Sequence, residues 1–124
     1  MKSVVRSNLT TRIEVSLLNA PLGNLHELCQ MLEKFGADGL HLDLMDGHFV
    51  EHLSFGIHFV QQIRSFCKLP IHVHLMTLNP EKYFFDLLQS GVNAVSFHCE
   101  AVNKGLSRLV SFLRCFHDIT LTFY

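Results

Sequence analysis

The feature that most constrains this chain is a regular change of hydrophobic period. Short aliphatic runs that suit strands alternate with longer stretches in which apolar residues recur at three- and four-residue spacing. The cycle repeats roughly every 25–30 residues, and this alternation specifies parallel strands with helices packed outside them. The strand-like runs are "RIEVSLL" (12–18), "GLHLDLM" (39–45), "PIHVHLM" (70–76), "NAVSFHCE" (93–100) and "DITLTFY" (118–124). Between them lie "NLHELCQMLEKFG" (24–36), "GIHFVQQIRSFC" (56–67), "NPEKYFFDLLQSG" (79–91) and "NKGLSRLVSFLRCF" (103–116), which read as helices.

Local signals support the boundaries. Leu25, Leu28, Cys29, Leu32 and Phe35 share a helical face, and Gly36 stands where a left-handed C-terminal cap belongs. Val60, Ile63 and Cys67 mark the second helix. Asn79 is expected to cap the third, Pro80 suits its first turn, and Gly91 ends it. In the first strand, Ile13, Val15 and Leu17 fall on one side. The expected order is βαβαβαβαβ, with right-handed crossovers. No linker or change of composition divides residues 1–124, so one domain is expected.

Hydrophobic residues make up 48% of the chain and charged residues 17%, which is a folding composition. The eleven phenylalanines point to a core that relies on Phe. A formal net charge of -1 favours neither nucleic acid nor an anionic membrane. Cys29, Cys67, Cys99 and Cys115 form no CxxC pair and read as buried thiols of a reducing compartment. The first ten residues lack the apolar stretch of a signal peptide, and the cytoplasm is the expected location.

The chemistry concentrates in "HLDLMDGHFV" (41–50) and "HVHLM" (72–76). Residues i and i+2 of a strand point to the same side, so His41 joins Asp43 and His72 joins His74. If the two strands are neighbours, the pairs lie side by side near the carboxyl ends, where parallel α/β folds bind ligands. His41, Asp43 and His74 then form a plausible set for a divalent cation: zinc, iron or manganese. The competing reading is bland: a strand histidine is usually a hydrogen-bonded core residue, and "MDG" is usually a turn. Met45 and Met76 read as gap-fillers or as substrate-facing residues, and Ser16 as a strand polar group satisfied by backbone. His98 and Glu100 repeat the i, i+2 pattern with a weaker claim to a site role. His26, His58 and His117 read as surface residues.

Taken together, "VSLLNAPLGNL", "GADGLHLDLMDGHFV", "LPIHVHLM", "NPEKY" and "GVNAVSFHCE" resemble ribulose-phosphate 3-epimerase, in that family's order and approximate spacing, over about residues 12–100. The resemblance implies an α/β fold of the TIM, or (β/α)8, barrel type. Here it would be an incomplete barrel of about five parallel strands and four helices. It implies metal-assisted interconversion of D-ribulose 5-phosphate and D-xylulose 5-phosphate, with a sugar phosphate as the partner molecule. His41, Asp43 and His74 match three metal ligands, and Asp43 also matches one of two acid/base aspartates. His41 and His74 thereby adjoin the substrate, Ser16 matches a serine near its hydroxyls, and Met45 and Met76 match methionines along the reacting carbon. The cation is left open among zinc, iron, manganese and cobalt.

Departures accompany the match. Glu51 and His52 stand where the family usually has Pro-Asn, and His72 where it usually has Asp. The family's second acid/base aspartate belongs to a sixth strand and its phosphate-binding glycines to later loops, so this chain reads as a truncated member. The alternative is an inactive pseudoenzyme or a metal- or partner-binding module of the same ancestry. Two open sheet edges, together with inward faces carrying Val15, Leu42, Leu44, Val73 and Leu75, lead to an expectation of self-association as a homo-oligomer.

Overall fold

In the computed structural model, residues 11–103, 105–114 and 120–124 are described. The strands are β1 (Glu14–Ser16), β2 (Gly39–Met45), β3 (Ile71–Met76), β4 (Ala94–Phe97) and β5 (Thr120–Phe123). They form one sheet in the order β1-β2-β3-β4-β5, and every pairing is parallel. The helices are α1 (Leu25–Phe35), α2 (Ile57–Phe66), α3 (Phe84–Gln89) and α4 (Leu106–Leu113). The expected alternation is therefore present, and neighbours in sequence are neighbours in the sheet. The amino-terminal segment, Cys115 and His117 lie outside the described residues.

The helices end where the sequence indicated. Gly36 adopts φ 79° after α1, and its N–H donates to the Glu33 and Leu32 carbonyls. Gly91 adopts φ 73° after α3. Only glycine enters this left-handed region without a Cβ penalty. Asn79 departs from expectation: it is itself left-handed, at φ 53°, and makes no side-chain cap. A 3-10 turn over Pro80–Tyr83 precedes α3, so the third helix starts later than its pattern suggests.

The core lies between the sheet and the helices. Leu40, Leu42 and Leu44 of β2 and Ile71, Val73 and Leu75 of β3 are buried there with Val60, Ile63 and Leu87. This corrects the assignment of the strand aliphatics to the inner wall. Leu42, Leu44, Val73 and Leu75 face the helices, and Val15, paired in register with Leu40, shares that side. The alternate residues that face away from the helices are largely polar: Glu14, Ser16, His41, Asp43, His72, His74 and Ser96. The uncovered face is thus a hydrogen-bonding surface, not an apolar one.

Two other expectations are corrected. Among the phenylalanines whose side chains are described, only Phe84 and Phe97 are fully buried, and aliphatic residues build most of the core seen there. Phe35 ends α1 in solvent, 77% exposed, and Ile13 lies just outside β1, 61% exposed. Cys29 and Cys67 are buried free thiols, as read, and Cys99 is half-buried. Burial, with Cys67 beside it, pushes the Cys29 thiol up to about 12.

Candidate metal centre

Adjacent parallel strands place like positions side by side. In the β2–β3 register His41 faces His72, Asp43 faces His74, and Met45 faces Met76. In the β1–β2 register Ser16 faces His41. This alignment, which no single strand contains, assembles the candidate residues into rows on the open face.

Asp43 is the hub. Its Oδ1 lies 3.1 Å from Nε2 of His41 and 3.2 Å from Nδ1 of His74. Ser16 Oγ donates to its other oxygen, Oδ2, at 3.3 Å. The ligand atoms of His41, Asp43 and His74 all lie within 4.8 Å of one another. Ligands held about 2.0–2.2 Å from a common zinc ion stand about 3.4 Å apart in a tetrahedron, so this donor set fits a divalent cation with small adjustments. Met45 and Met76 lie in the next row, at the carboxyl ends, and are half-buried. Ser16, His41 and His74 are therefore each in contact with Asp43, with the methionines in the adjoining row.

Further residues contribute: His98 and Glu100, whose spacing had only a weaker claim in the sequence, and Glu14, which the sequence reading missed. His98 Nε2 lies 3.0 Å from Nε2 of His74, and the two rings stack at 5.2 Å. His98 Nδ1 faces Glu100 Oε1 at 3.5 Å. This His74–His98–Glu100 chain holds the far side of a candidate ligand, as outer partners of metal-binding histidines do. The i, i+2 spacing of His98 and Glu100 was the available signal. Glu14 was passed over because "RIEVSLL" was read through its aliphatic side. Its Oε2 lies 2.8 Å from His72 Nδ1.

The loop after β2 is fixed from both ends. Asp46 Oδ1 accepts the backbone N–H groups of His48 (2.9 Å) and Phe49 (2.8 Å), and its Oδ2 accepts that of Leu78 (2.8 Å). Burial opposes the charged form of Asp46, but these three donors and nearby His48 outweigh it and hold the carboxyl below its ordinary range. Gly47 turns at φ 71°, and a Cβ there would stand 3.1 Å from Leu53 Cδ2. Ser54 Oγ donates to the Asp43 carbonyl and accepts the Met45 N–H, tying the returning loop to the strand. Glu51 and His52 stand exposed on this loop, where the His52 carbonyl accepts the Gly47 N–H. Of the departures from the family pattern, His72 is the one in the rows of the site.

Burial lowers the pKa of His74 below its ordinary 6.5, helped by His98 and His41 and opposed by Asp43. Well above pH 6.5 this imidazole is neutral in both folded and unfolded chains, so it adds no pH dependence there. As pH falls below 6.5 the unfolded chain takes the proton first, and stability is lost until the folded-state pKa is passed. The melting temperature is therefore expected to fall between pH 7 and pH 5. His74→Asn should flatten that slope; an unchanged slope in the variant would refute the assignment to His74.

The fold and this cluster define a class: an incomplete (β/α) barrel with a carboxylate and imidazoles gathered on its inner wall. Sequence comparison then gives the family. The ribulose-phosphate 3-epimerase family model matches residues 12–115. The chain is 33% identical over 103 residues to the cytoplasmic isoform of ribulose-phosphate 3-epimerase from Oryza sativa. It is 43% identical over 86 residues to the ribulose-phosphate 3-epimerase of Treponema pallidum, and 37% over 90 residues to that of Bacillus subtilis. These alignments take in 83%, 69% and 73% of the chain but only 45%, 39% and 42% of the relatives, so the chain spans less than half their length. The chain belongs to the ribulose-phosphate 3-epimerase family.

Proposed function

We propose that this chain forms the metal-holding wall of a ribulose-phosphate 3-epimerase and carries one of its two acid/base groups. The supporting observation is the meeting of His41, Asp43 and His74 at 3.1–3.2 Å on the inner face of a sheet from this family. The reaction removes a proton alpha to a ketone on one face of the carbon and returns it on the other. A divalent cation supplies Lewis-acid stabilisation of the negative charge that develops on the substrate oxygens. Asp43 divides its work: Oδ1 faces the two imidazoles, while Oδ2, which Ser16 orients, is the atom that moves the proton. Met45 and Met76 offer the reacting carbon an apolar flank. Zinc, iron, manganese and cobalt all suit two nitrogens and one carboxylate oxygen.

The cation is tested by elemental analysis and calorimetry with zinc. Because Glu14 also faces His41, the comparison is made in a Glu14→Gln background. There Asp43→Asn should weaken binding by about tenfold or more, since even outer partners of a metal contribute 10–100-fold. Unchanged affinity would remove Asp43 from the ligand set.

A second reading is an inactive member that retains metal or partner binding. It is favoured by His72, which stands in the rows of the site, paired with Glu14, where the family pattern usually has an aspartate. Cation binding without turnover in the product of the complete reading frame would select it. The proposed partner molecule is a sugar phosphate, and the proposed location is the cytoplasm. The buried free thiols Cys29 and Cys67 and the name of the rice relative support that location. Among the described residues, no helix is long and apolar enough to cross a membrane.

Self-association is also proposed, now for the sheet edges alone. Among the described residues β1 and β5 are the outer strands of the sheet, and each leaves one side of its backbone without a strand partner. The polar inner face removes the apolar motive for collapse but not the edge motive. Light scattering on freshly purified 124-residue chain should show dimers or larger species. A stable, monodisperse monomer at micromolar concentration would end this proposal.

A further inference from the structure

One step toward the amino ends of the strands, a second cluster shares the inner face. Glu14 Oε2 lies 2.8 Å from His72 Nδ1 and 3.9 Å from His41 Nδ1. The ligand atoms of Glu14, His41 and His72 all lie within 4.8 Å of one another, and the rings of His41 and His72 meet edge-on at 4.7 Å. We propose that Glu14, His41 and His72 form a second divalent-cation site, distinct from Asp43 and His74, that takes zinc or a cation of similar preference.

Three observations carry it. First, two imidazole nitrogens and a carboxylate oxygen are a zinc donor set, and their spacing brackets the roughly 3.4 Å that tetrahedral coordination requires. Second, the far nitrogen of each ring is already held by an oxygen. His72 Nε2 lies 2.6 Å from Ser96 Oγ, and His41 Nε2 lies 3.1 Å from Asp43 Oδ1. Nδ1–H of His72 donates to Glu14; a cation bound there would replace that proton, and Nε2–H of the rings would then donate to Ser96 Oγ and Asp43 Oδ1, as outer partners do for histidine ligands. Third, the cluster has an approach. A concavity of about 510 Å³ is lined by Glu14 and His72 together with Arg12, Asn93 and Thr122. Three protein ligands leave a coordination position open toward it, for water or a small anion.

The two sites share one imidazole. A neutral His41 has a single lone pair, directed from Nδ1 to the lower site or from Nε2 to the upper one. A cation bound by Glu14 and His72 therefore withdraws His41 from Asp43 and His74, so the sites compete.

The test isolates the lower site with His74→Ala, which removes an upper ligand and leaves the lower three. Calorimetry with zinc on this 124-residue variant should still find one site per chain. Adding Glu14→Gln or His72→Ala should weaken it by about tenfold or more. Cobalt in place of zinc gives visible absorption that reports the donor set without reference to turnover. Glu14 is partly exposed and Gln is close to it in shape, so that variant reads the site even if His72→Ala unfolds the chain. No zinc binding by the His74→Ala chain, or binding unaffected by Glu14→Gln, would overturn the proposal. The upper site is judged separately, by Asp43→Asn in the Glu14→Gln background.

Discussion

A polypeptide of these 124 residues is expected to interconvert D-ribulose 5-phosphate and D-xylulose 5-phosphate at least about 100-fold more slowly than a full-length relative. Inversion at the carbon needs acid/base groups on opposite faces, and each positioned group is worth about 10²–10⁴-fold. The open sheet presents Ser16, His41, Asp43 and His74 from one wall. A group on the same wall cannot reach the far face of a substrate seated against Asp43. Glu14, another carboxylate on that face, lies with His41 and His72 in the row below. A coupled assay on purified chain, with circular dichroism to verify folding, measures the deficit. Turnover close to that of a complete relative would show that one wall suffices.

The largest expected loss of stability follows Phe97→Ala. Phe97 is fully buried, packs edge-on against Phe84 with centroids 5.2 Å apart, and lies beside Leu75 in the β3–β4 register. Truncating a buried Phe costs about 3–5 kcal/mol through lost burial and the cavity left behind. The edge-on pair adds about 0.5–1.5 kcal/mol to what area alone contributes. Phe85, next to Phe84 on α3 but 62% exposed, is the control: Phe85→Ala should fall within about 0.5 kcal/mol of the parent. Urea unfolding of the three chains checks both values. A loss below about 1 kcal/mol for Phe97→Ala would mean that the site collapses around the deletion.

The fold was largely legible because period and punctuation are local. The aliphatic alternation of "GLHLDLM" and "PIHVHLM" marked two strands, and Gly36 and Gly91 marked helix ends through a backbone conformation that side-chain-bearing residues resist. What misled was also local. Asn79 and Pro80 suggested a helix start, yet the chain first makes a 3-10 turn, because Asn79 takes a left-handed conformation where β3 turns toward α3. Phe35 fits the helical period of α1 but falls on its last residue and stands exposed.

By itself the sequence determined the strand–helix order, the family pattern, and the sharing of one face by His41 with Asp43 and by His72 with His74. Strand geometry alternates every second residue, so those pairings need no tertiary information. Which face looks inward was decided only by the fold. Along β2 burial is nearly continuous on both sides, and only the packed helices show that Leu42, with Val73 beside it in β3, belongs to the outer core. The parallel register likewise decided that Asp43 meets His74, and that Glu14, 58 positions before His72 in the chain, arrives within 2.8 Å of it. Contacts between strands depend on the stagger of whole elements, which helix packing fixes and no short stretch of sequence encodes.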